Sequence, residues 1–430
     1  MRIQDQYGSP DERYSYKSSL VDALRGGSRE LSSGRITVRL AEKLGFCWGV
    51  DRAVAMVWDA IRRYSASTGT ANGRRLWLLN QIIHNPKVNE DFLKNGVRFV
   101  FGKFAEPGGF DRVQRGDVVI IPAFSAEVEH LERMRAIGCE VVDTTCPWVE
   151  KPHRRVLKYI EDRFTTLIHG QPGHDETRAT CSLVDSKGGR WIVLRDMNDA
   201  DALCAYLRGG KTLAEFRAAF GGAWSAGFDP ERDLERVGMV NQTTMLASES
   251  REIAERVAAA VKSRDSKPTA ISCAKSTSQI PDPTTASAAS PAPSRFRDFD
   301  TICPATQDNQ DAVIELTQST LPDVFVVIGG YDSSNTANLL RAARAKRGTY
   351  HVQDPASIEP AQIRHRDPKS GREVTTRDWL PAGPIVVGVS AGASTPDTEL
   401  AEVVRRLCAA AGAPVPDGVA ATGKAHAPEV

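Results

Sequence analysis

Short apolar runs recur along this chain and alternate with segments of helical periodicity, and this alternation limits the folds that it can adopt. Two runs, VFVVIGG and IVVGVS, are almost continuously apolar, as expected for strands buried on both faces of a parallel sheet. Strands are predicted at 36–40, 76–79, 118–121, 165–168, 191–194, 237–240, 324–328 and 385–389. Between them apolar side chains recur with helical spacing, as in the stripe from Val50 to Ile61. The pattern predicts an α/β protein with mostly parallel sheets.

Composition divides the chain into ordered and disordered parts. The segment 262–296 is rich in Ser, Thr, Pro, Ala and Lys and cannot bury enough apolar surface to offset the entropy of ordering it. We therefore predict a disordered linker there, a disordered tail at 413–430 and a polar N-terminal extension at 1–35. The remainder is predicted to form three α/β modules, at 36–143, 144–261 and 297–412.

The charge balance excludes several classes of partner. The 430 residues carry 55 basic and 54 acidic side chains, a net charge of +1, whereas nucleic-acid and membrane-surface binding needs a basic field. No apolar stretch reaches the roughly 18 residues of a transmembrane helix. The first residues also lack the apolar core of a secretory signal. We expect a cytoplasmic protein without nucleic-acid or membrane partners.

The chain has eight cysteines but no CxxC pair, which excludes the spacing of zinc ribbons, thioredoxins and bacterial ferredoxins. Three of them, Cys47, Cys146 and Cys303, each follow a predicted strand and open a predicted helix. A thiol in that position faces unpaired N–H groups and the positive end of the helix dipole, which lower its pKa and favour the thiolate. Core packing is the alternative for any one of them. Three thiolates from distant segments match a [4Fe–4S] cluster with one iron left open.

Polar side chains follow several of the other predicted strands. Hydroxyls, amides and imidazoles at the carboxyl ends of parallel strands, next to helix starts, suit a bound phosphate. Each alone is more simply a helix cap or a structural histidine. Glu176, two residues after His174, could deliver protons if burial or neighbouring negative charge raises its pKa. The polar residues are His84, His174, the segment 241–244, the segment 333–335 and Ser394.

Eight motifs extend this picture: GFCWGVDRAV, IIHNPKVN, VVDTTCPWV, HGQPGHDET, NQTTM, TICPATQ, DSSNT and SAGASTPD. In this order, over about residues 36–412, they resemble the LytB family of 4-hydroxy-3-methylbut-2-enyl diphosphate reductases. The motifs GFCWGV, DTTCPWV and NQTTM are similar to the branch of phototrophs and their plastids, which also has an N-terminal extension before the first cysteine.

The resemblance implies a trefoil of three α/β modules around a central iron–sulfur cavity. It also implies the last step of the non-mevalonate isoprenoid pathway, a reductive dehydroxylation giving isopentenyl and dimethylallyl diphosphates. One [4Fe–4S] cluster per subunit would receive electrons from a ferredoxin or flavodoxin. By motif, Cys47, Cys146 and Cys303 would hold the cluster and Glu176 would be the proton donor. The substrate diphosphate and hydroxyl would be bound by His84, His174, Thr243, Ser333, Ser334, Asn335 and Ser394.

The sequence departs from the family at two places. Many bacterial members have a histidine in an FSAHG segment, where this chain has Glu127; His130 lies close by, and we do not expect it to substitute. Pro152 is expected to bend or delay the helix after Cys146. Two alternatives remain at this point: a three-cysteine lyase of the quinolinate synthase kind, and a non-enzymatic metal-binding or redox-sensing module.

Overall fold

The structure is a computed structural model and describes residues 16–64, 74–266 and 294–413. The tail at 414–430 and most of the predicted linker, with Cys273, lie outside the described residues. The parts of the linker and extension that are described have regular structure, as set out below.

Thirteen helices and fifteen strands occur within the described ranges. The helices are α1 Ser19–Gly26, α2 Trp48–Tyr64, α3 Pro86–Lys94, α4 Val128–Ile137, α5 Pro147–Glu161, α6 Asp175–Ser186, α7 Met197–Leu207, α8 Leu213–Phe220, α9 Pro230–Asp233, α10 Ala247–Asp265, α11 Pro304–Ser319, α12 Ser334–Ala342 and α13 Asp397–Ala410. The strands are β1 Glu30–Ser33, β2 Ile36–Leu40, β3 Leu76–Leu78, β4 Arg98–Phe99, β5 Val118–Ile121, β6 Glu140–Asp143, β7 Thr165–His169, β8 Trp191–Leu194, β9 Val237–Asn241, β10 Phe296–Asp298, β11 Val324–Ile328, β12 Gly348–Val352, β13 Gln362–Arg366, β14 Glu373–Arg377 and β15 Ile385–Ala391.

The strands form three sheets. A seven-stranded sheet has the order β1-β2-β15-β11-β12-β13-β14, and two four-stranded sheets have the orders β10-β9-β7-β8 and β4-β3-β5-β6. Nine of the twelve strand pairings among the described residues are parallel. The predicted α/β class with mostly parallel sheets is therefore confirmed.

The chain divides into two compact units. Among the described residues, the first contains 16–64, 74–151, 243–246 and 302–413, and it carries the seven-stranded sheet and the β4-β3-β5-β6 sheet. The second contains 152–242, 247–266 and 294–301, with the β10-β9-β7-β8 sheet. The boundary near residue 151 lies within α5.

The pairing of the first two strands does not follow the predicted module boundaries. The sequence placed 36–40 at the start of the first module, but β2 pairs in parallel with β15, with Ile36 opposite Ile385. Within the predicted extension, β1 pairs with β2, and Leu20, Val21 and Leu24 of α1 join the same apolar core. Hydrophobic periodicity identifies a strand but not its partner, and β15, a buried parallel strand, needs a neighbour on each side.

The predicted linker also has ordered edges. Helix α10 continues to Asp265, and β10 pairs in parallel with β9, with Phe296 opposite Val237. Helix α5 is not delayed by Pro152, because it begins at Pro147, directly after Cys146. Pro152 lies inside this helix, where its missing N–H removes one helical hydrogen bond. Among the helices described, none has the length and apolar character needed to cross a membrane.

A buried carboxylate joins neighbouring strands of the β4-β3-β5-β6 sheet. Asp117 directly precedes β5 and accepts two hydrogen bonds from the Arg75 guanidinium, Nε at 2.9 Å and Nη2 at 2.7 Å. The same carboxylate accepts the Trp77 indole N–H at 3.0 Å and the Gln114 backbone N–H at 2.8 Å. Four N–H groups therefore donate hydrogen bonds to the single carboxylate of Asp117.

We predict that Asp117→Ala lowers the free energy of unfolding by about 3 kcal/mol, because it leaves buried donors without an acceptor. Chemical denaturation of the purified chain measures the change. Asp111→Ala is the matched control, because that carboxylate is 82% exposed and pairs at the surface with Arg133. The control is expected to change stability by less than about 0.5 kcal/mol. Equal effects of the two substitutions would contradict the prediction.

Candidate functional site

Each of the three predicted cysteine ligands follows a strand of a different sheet and precedes a helix. Cys47 lies between β2 and α2, Cys146 between β6 and α5, and Cys303 between β10 and α11. All three belong to the first unit. The predicted strand-to-helix setting of the three cysteines is confirmed.

Helix starts direct N–H groups at two of the sulfur atoms. The Val50 N–H donates to Cys47 Sγ at 3.4 Å. Cys303 is the N-cap of α11, and its Sγ accepts the Thr306 N–H at 3.3 Å and lies 3.0 Å from the Thr306 hydroxyl. A thiol at such a position occupies the place of the usual capping oxygen and satisfies donors that the helix itself leaves free.

The backbone N–H of each cysteine is held by a different segment of the first unit. Cys47 donates to the carbonyl of Ala393 at 3.3 Å, and Cys146 donates to that of Ala123 at 3.0 Å. Cys303 donates to the carbonyl of Thr243 at 3.1 Å. Ala393 precedes Ser394, and Thr243 is itself a predicted substrate ligand. Two of the segments predicted to bind substrate therefore help to fix the positions of the cysteines.

The sulfur atoms of Cys146 and Cys47 lie near a glycine in the first turn of α2. A Cβ placed on Gly49 would lie 2.5 Å from Cys146 Sγ and 4.0 Å from Cys47 Sγ. Because real Cβ atoms essentially never lie within 3.0 Å of another heavy atom, any other residue at position 49 would require the Cys146 sulfur to shift. The charges of Cys303 and Cys146 also act on Cys47, so that the three thiols form one group.

The helix start lowers the pKa of the Cys47 thiol as predicted, but burial outweighs it and the net shift is upward. Burial raises its pKa to about 12, and the neighbouring Cys303 and Cys146 also raise it, against the lowering effect of the Val50 and Gly49 N–H groups. Desolvation outweighs the helix start because the thiolate loses most of its hydration. Bound metal removes the proton of a ligating thiol and so reverses this preference.

Three cysteine thiols are the donor chemistry that an iron–sulfur cluster takes. In the described part of the chain, no group of three or more His, Cys, Asp or Glu side chains is arranged to coordinate one metal ion. A [4Fe–4S] cluster takes one thiolate on each of several irons, so its ligands face a common space without meeting at one atom. The sulfur atoms of Cys47 and Cys146 both lie within 4.0 Å of the position of a Gly49 Cβ, and the charge of Cys303 acts on Cys47.

His84 follows β3 and lies in the first unit with its ring stacked on Phe124, at 4.2 Å between ring centroids and 14° between ring planes. Burial lowers its pKa to about 4, so the imidazole is neutral at physiological pH. Its backbone carbonyl accepts the Ser394 hydroxyl at 3.2 Å. Two predicted substrate ligands, His84 and Ser394, are therefore in direct contact.

Ser333, Ser334 and Asn335 form the start of α12. Ser333 is the N-cap and accepts the Thr336 N–H at 3.3 Å, while Ser334 is the first helical residue. Asn335 is buried, and its Oδ1 accepts the Ala393 N–H at 3.0 Å, while its Nδ2 donates to Thr306 Oγ1 at 3.4 Å. The segment 333–335 therefore does cap a helix, which was the simpler explanation of its polar side chains. Asn335 also links the surroundings of Cys303 to those of Ser394.

His174 and Glu176 lie in the second unit. His174 is the N-cap of α6, and its Nδ1 accepts the Glu176 N–H at 3.2 Å. Glu176, in the first turn of α6, is only 2% exposed. A buried carboxyl beside a histidine is the kind of environment predicted for a proton donor.

Glu127 and His130 lie where the sequence departs from the family pattern. Glu127 occupies the N-cap position of α4. The His130 ring packs on Phe101 and Phe110, with centroid distances of 4.6 Å and 5.7 Å. His130 is therefore part of an aromatic cluster, as expected for a residue that does not replace the family histidine.

Sequence reasoning missed three residues that shape this site. Gly49 makes room for the Cys146 sulfur, and Thr306 contacts both Cys303 and Asn335. Gly330 adjoins His84, because a Cβ there would lie 2.2 Å from the His84 carbonyl oxygen. Thr306 could have been found from its position three residues after Cys303, which is the usual spacing between a cap and its donor. The two glycines carry no such signal.

Comparisons with known proteins identify the family to which this chain is similar. The family described as LytB protein matches residues 38–408. A protein of Gloeobacter violaceus named 4-hydroxy-3-methylbut-2-enyl diphosphate reductase is 41% identical, over 92% of this chain and 88% of its own length. A Synechococcus protein of the same name is 39% identical, over 91% of this chain and 90% of its own. Both organisms are cyanobacteria, in agreement with the predicted phototroph branch.

A solved structure shares the fold. It is that of the E-1-hydroxy-2-methyl-but-2-enyl-4-diphosphate reductase from Plasmodium falciparum, with a TM-score of 0.58 and 17% identity over 86% of this chain and 87% of that one. The match of the family to most of the chain agrees with identities near 40% to its members. The chain therefore belongs to the LytB family.

Proposed function

We propose that this protein reduces 4-hydroxy-3-methylbut-2-enyl diphosphate to isopentenyl diphosphate and dimethylallyl diphosphate, the last step of the non-mevalonate isoprenoid pathway. The observation that carries the proposal is the gathering of Cys47, Cys146 and Cys303 in one unit. The names of relatives about 40% identical to this chain support the same reaction.

In this proposal the three cysteines hold one [4Fe–4S] cluster per chain. Burial raises the pKa of the Cys47 thiol to about 12, so this ligand would lose its proton only on binding the metal, whose charge stabilises the thiolate. Three protein ligands leave one iron open. When bound, the cluster supplies electrons singly and offers a Lewis-acidic position for the substrate hydroxyl.

Neutral donors hold the substrate diphosphate. His84 is uncharged at physiological pH because burial lowers its pKa to about 4, so it acts through a directed N–H group. The start of α12 adds backbone N–H groups to these donors, since helix N-termini favour phosphate. A near-zero net charge of the chain agrees with local recognition of a small anion. The proposed ligands are His84, His174, Thr243, Ser333, Ser334, Asn335 and Ser394.

Glu176 supplies protons. The reaction consumes two electrons and two protons: the carbon–oxygen bond breaks, the hydroxyl leaves as water after taking one proton, and the second proton goes to carbon. Protonation at either end of the allylic unit gives one or the other product. The place of Glu176 in the first turn of α6, 2% exposed and hydrogen-bonded through its N–H to His174, supports this role.

Further parts of the proposal concern organisation and partners. Three α/β modules form a trefoil around the iron–sulfur cavity, each contributing one cysteine. A ferredoxin or flavodoxin delivers the electrons, and the protein acts in the cytoplasm.

Anaerobic purification followed by iron and sulfide counting tests the cluster. Wild type is expected to be brown with about four irons and four sulfides per chain, and to turn over the hydroxylated diphosphate with dithionite and a viologen mediator. Cys303→Ser should lose most of the iron and the brown absorbance. Cys139→Ser, at a partly buried cysteine outside the group, should keep both. A colourless wild type without sulfide or turnover would refute the proposal.

Gly49→Ala tests the space around the Cys146 sulfur. The added methyl would lie 2.5 Å from that sulfur, so we expect reduced iron and sulfide content with the fold retained, as judged by circular dichroism. Gly26→Ala is the control, since nothing lies within 4 Å of its added methyl. Wild-type iron content in the Gly49→Ala variant would show that the sulfur does not need this position.

Glu176→Gln separates proton delivery from binding. The amide keeps the shape of the side chain but cannot donate the acidic proton, so kcat should fall by about 10²–10⁴-fold while iron content and substrate binding persist. Glu252→Gln, at an exposed glutamate paired with Arg256 in the same unit, should leave kcat unchanged. Full activity of the Glu176→Gln variant would remove Glu176 from the mechanism.

A further inference from the structure

A buried carboxyl in the first turn of α13 contacts the segment that carries His84. Glu399 is 6% exposed, and its Oε2 accepts a hydrogen bond from Asn85 Nδ2 at 2.9 Å. Both residues belong to the first unit. None of the motifs that support the resemblance contains Glu399, and neither the cluster nor the proton step uses it.

The orientation of the Asn85 amide is fixed by its other end. Asn85 is the N-cap of α3, and its Oδ1 accepts the Val88 N–H at 3.0 Å. The Nδ2 group must therefore point away from the helix start, and because Asn85 is 1% exposed it needs an acceptor within the protein. Glu399 is the acceptor that the structure provides.

The preceding residue, His84, is also held in place by contacts with other segments of the chain. Its carbonyl oxygen accepts the Ser394 hydroxyl at 3.2 Å and lies so close to Gly330 that a Cβ there would approach to 2.2 Å. The Asn89 side chain fixes the start of the segment by accepting the Ile82 N–H at 2.9 Å and donating to the Ile83 carbonyl at 2.9 Å. Glu399 completes this set of contacts at the residue that follows His84.

The charge state of Glu399 allows its hydrogen bond to be tested apart from its charge. Burial raises the pKa of Glu399 to about 7. The charges of Asp354 and Asp91 also raise it, whereas the Asn85 hydrogen bond and Lys87 lower it. A substantial fraction of the side chain is thus protonated near neutral pH, and glutamine has nearly the same shape and retains an oxygen acceptor.

We propose that Glu399 is a positioning residue that, through Asn85, holds His84 in place to bind the diphosphate group. The inference rests on the proposed function for the identity of the anion. It predicts that loss of the Glu399 contact raises Kd and KM but leaves kcat nearly unchanged, because His84 contacts the anion and takes no part in the proton step.

Isothermal titration of the cluster-loaded protein with inorganic pyrophosphate tests the proposal. Glu399→Leu should raise the Kd by about tenfold, a change expected when a buried hydrogen bond is lost, and should raise KM similarly with kcat within about twofold. Glu399→Gln should keep Kd and KM within about twofold of wild type. Glu402→Leu, at an exposed glutamate on the same helix, is the matched control and should match wild type.

A second variant guards against misfolding of the Glu399→Leu protein. Asn85→Ser keeps a side chain able to cap α3 but removes the amide that reaches Glu399, so it should raise the Kd about as much as Glu399→Leu. The double variant should be no worse than either single one, because both remove the same hydrogen bond. Additive losses, or pyrophosphate binding by the Glu399→Leu variant as tight as that of wild type, would overturn the proposal.

The pH dependence of stability reports on the Glu399 environment without any ligand. Because its pKa is raised from 4.5 to about 7 in the folded chain, the folded state holds this proton more tightly than the unfolded state. The stabilisation is present below about pH 4.5 and is lost as pH rises through about 7, and Glu399→Gln should lack this decline. Equal pH dependence of the two proteins would place Glu399 in contact with water and contradict its role.

Different measurements would refute the proposed reductase function and the proposed role of Glu399. Wild-type turnover of the hydroxylated diphosphate tests the reductase function directly. The pyrophosphate titrations need no turnover, so the coupling between Glu399 and Asn85 is measured even if the natural substrate is another diphosphate.

Discussion

The gathering of three thiols in one group is the constraint on which this site depends. The pKa of Cys47 rises to about 12 because the thiol is removed from water and lies near two others, so an isolated thiolate there is unstable. A bound cluster reverses this balance, because metal replaces the proton. The hydrogen bonds from the Val50 and Thr306 N–H groups to sulfur then act on charged ligands, where such bonds are stronger. We infer that bringing the three thiols together favours the metal-bound protein over the metal-free protein.

The same arrangement connects the cofactor ligands to the substrate segments. Each cysteine N–H is held by a carbonyl of another segment, those of Ala393, Ala123 and Thr243. Asn335 spans the space between two of these segments by bonding both to Thr306 and to Ala393. A displacement of Cys47 or Cys303 would therefore move groups proposed to bind the diphosphate. Cofactor loading and substrate affinity are expected to change together when these contacts are altered.

In the proposed function, the anion is recognised by local donors and not by the net charge of the chain. The chain carries almost no net charge, and the buried His84 is neutral because its pKa falls to about 4. Binding by directed N–H and O–H groups depends on their orientation much more than binding by a general positive field does. This dependence explains why so many contacts fix the His84 segment: the Phe124 ring, the Ser394 hydroxyl, the Gly330 backbone and the Asn85 amide.

The sequence by itself determined the α/β class, the main strands and the local setting of the cysteines. Apolar runs such as 324–328 and the strand–cysteine–helix order around Cys303 are properties of neighbouring residues, so they can be read before folding. Only the tertiary structure decided that β2 pairs with β15, that Gly49 faces the Cys146 sulfur and that Glu399 reaches Asn85. It also decided the net pKa shift of Cys47, where burial outweighs the lowering effect of the helix start that the sequence had identified. The physical reason is common to all of these: strand partners, desolvation and contacts between residues far apart in the sequence depend on what the rest of the chain places beside them.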